Sequence, residues 1–284
     1  MVYQALKKGI FALLVALGAL GFTQLTQAAP IVFDLGGVLI ETNTMATFWH
    51  LGLKNIAHYT LSGHNPFALD KAFLAYLDQI LPRNSDEIEA HDEKGRPLPQ
   101  YMCDWLKGSR EPEDILDEVS ETIQEDPNLD SAQKVMFTRL AEIIFNPETF
   151  IATRKVIPGS VTLIKELIAQ GHTPYIISNW DAISFDILKA THAQLFDLFE
   201  DRIIISGKIN LIKPDPAIYR HLADTFNLEI TECIFIDDQL INVQAAQSVG
   251  MQAIHCQKNV SKLSHAKLVQ SGVATLTTLA QSMC

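Results

Sequence analysis

Four short segments carry the residues whose chemistry fits together: Asp34 with Gly36-Gly37 behind it, Ser178-Asn179, Lys213, and Asp237-Asp238. Ile31-Val32-Phe33 reads as a β-strand that stops at a carboxylate and a glycine pair. Such a stop presents one acid at a sheet edge, where backbone can approach a ligand closely. The segments together supply a carboxylate nucleophile, a hydroxyl and an amide that can hold oxyanions, a lysine that neutralises charge, and paired acids for a hard divalent cation. That set suits phosphoryl transfer. Each member also has a plain structural use. Asp34 could close a turn, Ser178-Asn179 could end a strand, Lys213 before Pro214 could be a surface loop lysine, and Asp237-Asp238 could cap a helix. Adjacent acids repel unless a cation or base offsets them, so the joint pattern is the signal.

These residues meet only if the ends of several strands converge. From Val156 the chain alternates helix and strand signals. Pro158-Gly159 opens a helix that closes at Gly171, and Thr173 to Ser178 is an apolar strand. Asp181 caps a helix before the strand Arg202 to Ser206, and Asp215-Pro216 starts the helix leading to the strand Cys233 to Asp237. A further helix reaches Gly250 and a last strand covers Gln252 to Cys256. This alternation predicts a doubly wound α/β fold, a parallel sheet with helices on both faces, whose functional residues gather at the carboxyl ends of the strands where strand order reverses. Between the Asp34 strand and Lys155 the periodicity turns helical, in Phe73, Leu74, Leu77, Ile80 and Leu81, in Ile115, Leu116, Val119 and Ile123, and in Val135, Met136, Leu140, Ile143 and Ile144. These stripes read as the core of an inserted helical bundle, with Asn84 to Pro99 as a loop. Phe48, Trp49 and Trp105 fall in the insertion, as further bundle core or as the lining of a pocket.

At this point the sequence resembles the haloacid dehalogenase-like hydrolase superfamily. Phe-Asp-Leu-Gly-Gly-Val-Leu is similar to its first motif, Ile-Ile-Ser-Asn to its second, Lys213-Pro214-Asp215-Pro216 with Ile218-Tyr219 to its third, and Ile-Phe-Ile-Asp-Asp-Gln-Leu-Ile-Asn-Val-Gln-Ala-Ala to its fourth, in the family's order. The resemblance implies a Rossmann-like core over 29–41 and 156–284 and a helical cap over 42–155 that closes on the site and chooses the substrate. It further implies that Asp34 attacks phosphorus to give an aspartyl-phosphate that water hydrolyses. Magnesium would be held by Asp34, the Gly36 carbonyl and Asp238, with Asp237 adjoining and Asn242 helping through water. Ser178 and Asn179, with Gly37 beside them, would bind the phosphoryl group of a small phosphorylated metabolite, and Lys213 would offset the charge around the nucleophile.

One position departs from the phosphatase pattern. Most phosphatases of the superfamily carry a second aspartate two residues after the nucleophile as general acid and base, and Gly36 stands there. General acid catalysis is commonly worth about 10²–10⁴-fold, so the proton must reach the leaving group from water, the substrate or a cap residue. The true dehalogenases of the superfamily also lack that acid and need no magnesium, which makes them a rival reading, although Asp237-Asp238 favours the metal-dependent branch. A third reading is a phosphate- or protein-binding domain that kept the fold and lost turnover.

Composition bounds the rest. With 284 residues, 48% hydrophobic and 19% charged, the chain can build a globular core, and disorder is set aside as its main state. The formal net charge of −11 disfavours nucleic acid and anionic lipid as partners. Lys7-Lys8, an apolar run from Gly9 to Phe22 and the small residues Thr26 and Ala28 read as a signal peptide over 1–28 cut after Ala28. The expected location is therefore periplasmic or secreted, with membrane contact only transient, and an uncleaved membrane anchor is the alternative. Of the four cysteines, Cys103, Cys233, Cys256 and Cys284, no pair is implied as a disulfide: Cys233 enters one strand as Cys256 leaves the next, which separates them by roughly 10 Å if the strands are parallel neighbours. Oligomeric state is not legible in the sequence.

Overall fold

The computed structural model describes residues 29–84, 88–92 and 94–256. The expected signal segment and Cys284 lie outside them. Five strands form one parallel sheet: β1 (Pro30–Phe33), β4 (Thr173–Ser178), β5 (Ile203–Ile205), β6 (Ile234–Asp237) and β7 (Gln252–His255), in the order β5-β4-β1-β6-β7. Two further strands, β2 (Ile40–Thr42) and β3 (Arg154–Val156), pair antiparallel as a ribbon, with Thr42 opposite Arg154. The chain leaves β1 toward β4 and β5 on one side and returns to β6 and β7 on the other. The reversal therefore falls beside the carboxyl end of β1, where an open α/β sheet forms its ligand crevice.

The strands are nearly continuous apolar runs because both faces of the sheet are covered. Side chains alternate between the faces: Val32, Tyr175, Ile177 and Phe235 pack with Ile218, Leu222, Val243 and Ala246. Ile31, Phe33, Ile176 and Ile236 join a larger cluster with Leu163, Ile164, Phe185 and Leu188. Local chemistry sets the helix starts. Asp181 accepts from the Ser184 N–H, and Asp215 accepts from the Ala217 N–H with Pro216 at the first helical position. Asp130 and Gln133 close a capping box on the helix Ser131–Phe145, an arrangement worth about 1 kcal/mol.

The helices from Thr44–Leu51 to Pro147–Ala152 all lie between β2 and β3 in the chain. Their core is continuous with one face of the sheet rather than separate from it. Phe150 forms the seam, its ring meeting Trp105 at 4.9 Å and Trp180 at 5.3 Å between centroids. Two expectations fail here. Val135, placed in a bundle stripe, is 39% exposed, because its neighbours Met136 and Phe137 turn the buried side of that helix past it. Phe48 and Trp49 are also exposed: the short helix Thr44–Leu51 buries none of its residues, and only Trp105 of the three aromatics is core. Cys103 and Cys233 are buried thiols, and Cys233 and Cys256 lie at opposite ends of the β6–β7 pair. Among the described residues, no helix is long and apolar enough to cross a membrane.

Candidate active site

The carboxyl ends of β1, β4 and β6 and the loop before the helix Pro216–Phe226 bring the expected residues together. Asp34 follows β1, and its N–H donates to the Ile236 carbonyl at 2.9 Å, which carries the sheet register one residue past the strand. The residue is 5% exposed. The Ser178 hydroxyl and the Lys213 ammonium both reach Oδ1 of Asp34, each at 2.8 Å. That leaves Oδ2 with no hydrogen bond among the described residues, one oxygen fixed and one available.

Lys213 is not a surface loop lysine. It is 1% exposed and bridges Asp34 and Asp237, the second at 2.7 Å. Burial alone would lower its pKa, but Asp237 and Asp34 outweigh burial and raise it, so it stays charged. Asn179 explains how the lysine is held. Its side-chain amide donates to the Lys213 carbonyl at 2.9 Å and accepts from the Lys213 N–H at 2.8 Å. The amide expected to bind a phosphoryl group is thus engaged in positioning the lysine.

The two adjacent acids differ in the same way. Both oxygens of Asp237 are satisfied, Oδ1 by the Gln239 N–H at 2.7 Å and Oδ2 by Lys213, with the Asn242 amide within 3.2 Å of each. Asn242 is itself set by its helix, whose carbonyl at that position accepts from the Tyr219 hydroxyl at 2.9 Å. Asp238 carries a buried Oδ1 with no partner among the described residues. Burial, with Asp34 and Asp237 nearby, pushes Asp238 up to about 8. Burial also pushes Asp34 up to about 6, against the opposing pull of Lys213.

The carboxylates of Asp34, Asp237 and Asp238 offer oxygens that all lie within 4.8 Å of one another. Three acids share one lysine, which pairs with two of them, and Asp34 Oδ2 and Asp238 Oδ1 are unbonded among the described residues, so the cluster's charge is incompletely balanced. This donor set fits a hard, oxygen-seeking divalent cation, which would sit against Asp34 and Asp238. Gly37 makes that approach possible. It has φ +71°, and a Cβ there would collide with the Asp238 carboxylate. Gly36 is different: its φ lies outside the left-handed range and nothing stands within 4 Å of where a Cβ would go.

These groups open onto a cavity of about 490 Å³. Ile40, Leu98, Leu106, Phe150 and Trp180 give it an apolar wall, and His91 and Arg154 are polar members from the inserted segment and its ribbon. Sequence reasoning missed these last two. Neither belongs to a motif, and only the folding of a long insertion back over the sheet edge brings them to the site.

The fold has a counterpart among known proteins. The chain belongs to the haloacid dehalogenase-like hydrolases, whose family model matches residues 31–250. A sesquiterpene phosphatase of Aspergillus oryzae is 39% identical over 94 residues, covering 33% of this chain and 47% of that protein. A glyceraldehyde 3-phosphate phosphatase of Pyrococcus furiosus is 24% identical over 225 residues, 79% of this chain and 78% of that protein. The match to the Aspergillus protein and to a mammalian bifunctional epoxide hydrolase spans half or less of those relatives' lengths. Among solved structures, a haloacid dehalogenase family enzyme of Bacteroides thetaiotaomicron superposes with a TM-score of 0.56 at 14% identity, over 86% of this chain and 99% of that one.

Proposed function

We propose that the protein is a magnesium-dependent phosphohydrolase that cleaves a small phosphomonoester through an aspartyl-phosphate on Asp34. The observation that carries the reading is the state of Asp34. One carboxylate oxygen is fixed by Ser178 and Lys213 and the other is unbonded, beside an Asp238 whose Oδ1 has no partner. The Asp34 carboxylate attacks phosphorus as the bond to the leaving oxygen breaks, that oxygen taking a proton from water, the substrate or a cap residue, and water then cleaves the acyl-phosphate to return the carboxylate and release inorganic phosphate. Lys213 offsets the negative charge gathered around the reacting phosphoryl group while Asn179 and Asp237 keep it in place. The Ser178 hydroxyl, now donating to Asp34, can turn to a phosphoryl oxygen as that carboxylate becomes acylated. Magnesium, when bound by Asp34, Asp238 and the Gly36 carbonyl, supplies charge neutralisation for the phosphoryl oxygens. Phosphatase names among the relatives, and a magnesium complex of the Bacteroides enzyme, agree with this assignment.

We further propose that 42–155 acts as the cap over this site and that 1–28 is removed on export. The test of the activity is a screen of the protein cut after Ala28 against small phosphomonoesters, with magnesium and with a chelator. Metal-dependent phosphate release is expected. Halide release from 2-haloacids without metal would favour the dehalogenase reading, and neither reaction would leave a binding domain.

A further inference from the structure

Arg154, the first residue of β3, holds a cation that the site as described does not use. Arg83, Arg96, Arg110, Arg139 and Arg202 each pair with a carboxylate. Arg154 has no carboxylate within 4.0 Å among the described residues. Its guanidinium lies 4.0 Å over the Phe150 ring, and only Nη1 bonds, to the Thr153 carbonyl at 3.2 Å and hydroxyl at 3.0 Å. Nε and Nη2 carry the remaining donors of a planar fork suited to a carboxylate or phosphate, and among the described residues both are without partners. Burial pushes this guanidinium down to about 10, with no acid to pull it back.

The residue lines the same cavity as Asp34 and Lys213. The acid on that wall outside the catalytic cluster, Glu41, is engaged by Lys155 at 3.1 Å. His91 adds a second unsatisfied group, a buried Nδ1 with no partner. A half-buried cation left unneutralised is costly, and it persists where a ligand supplies the counter-charge. Lys213, with the cation that the acid cluster would hold, would serve the charge of the transferred phosphoryl group, so the surplus at Arg154 calls for another anion.

Resting on the phosphohydrolase reading, we propose that Arg154 determines specificity by receiving a second anionic group, a carboxylate or a further phosphoryl, carried on the leaving part of the substrate. Phe150 holds the guanidinium plane by stacking and Thr153 fixes its rotation, so the fork is preorganised for a bidentate contact.

Calorimetric titration of non-hydrolysable phosphonates into the magnesium-loaded protein tests this. The probes are ethylphosphonate, 3-phosphonopropionate and ethylene-1,2-bisphosphonate, and the proteins are the parent, R154Q and R154K. The parent is expected to bind at least one doubly anionic probe about tenfold or more tighter than ethylphosphonate, as a charge-assisted bidentate contact implies. The probe that gains more identifies the second group. R154Q loses the preference and R154K keeps part of it. Equal binding of all three probes by the parent overturns the inference while leaving the phosphohydrolase intact, as does an R154Q that weakens ethylphosphonate as much as the charged probes. Failure of every phosphonate to bind, together with no metal-dependent phosphate release, overturns both readings.

Discussion

Replacing Asp34 by asparagine removes the proposed nucleophile and, with it, a charge that the folded protein holds under stress. The carboxyl is pushed from 3.8 to about 6, first by burial and further by Asp237, with Lys213 and Ser178 pulling the other way. A rise of about 2 units at about 1.4 kcal/mol per unit disfavours the ionised form by about 3 kcal/mol in the metal-free fold. Because the folded pKa is raised, the native state holds this proton more tightly than the unfolded chain does. The parent therefore loses stability as pH climbs from 3.8 to about 6 and stays at the lower level above that. An amide does not titrate, so Asp34→Asn escapes this loss. In chelator, its melting temperature relative to the parent is expected to rise by roughly 5–10 °C between pH 4 and pH 7, at about 2–4 °C per kcal/mol. Magnesium should close the gap by raising the parent more than the variant, since the variant has one acid fewer to hold the ion. Phosphate release should vanish in the variant at every pH. A melting difference that does not change between pH 4 and pH 7 would refute the electrostatic argument, and turnover at the parent rate would refute the nucleophile.

Gly37→Ala places a side chain at φ +71° and against the Asp238 carboxylate, so it should destabilise by about 1 kcal/mol or more and abolish the magnesium-dependent rise in melting temperature; a preserved rise would show that Asp238 does not hold the ion. Gly36→Asp meets open space at an unstrained φ, so it should fold normally and raise turnover of alkyl phosphates over aryl phosphates by about tenfold or more, because an alkoxide needs a proton and an activated phenolate does not. Equal changes for both substrates would mean that the missing acid does not limit catalysis. Expressed in a bacterium with its full sequence, the protein should appear outside the cytoplasm with Ala29 as first residue, and an intact mass corresponding to Met1–Cys284 in the cytoplasm would count against export.

The part of the site legible in the sequence is the part fixed by strand ends. Once β1, β4 and β6 are parallel and the chain reverses beside β1, Asp34, Ser178 and Asp237 must share an edge, because each closes its own apolar run. What the pattern could not show is how those groups divide their work. Asn179 and Asp237 look like ligands by type, yet their polar atoms are taken up by Lys213 and by the start of the helix Leu240–Ser248, and only the hydrogen-bond geometry separates Asp237 from Asp238. Hydrophobic periodicity found three of the insertion's helices, Leu69–Ile80, Pro112–Glu125 and Ser131–Phe145, but not the shorter ones around them, nor which aromatics are buried. Trp49 and Trp105 are equivalent by composition and differ because one helix buries no residue while the other packs against Phe145 and Phe150.

The two adjacent glycines make the same point at a single step of the chain. A glycine pair after a strand-end acid reads as one feature, a tight turn, but the structure gives its members opposite constraints. At position 37 both the backbone angle and the Asp238 carboxylate exclude any side chain, so glycine there is a condition of assembling the acid cluster. At position 36 neither condition applies, and the space left open belongs to the cavity that also exposes Asp34. Neither space nor backbone angle therefore demands glycine at 36. If the proposed reaction holds, the absence of a carboxylate there bears on the chemistry rather than on packing: the leaving group must depart unaided or take its proton from water, the substrate or a cap residue.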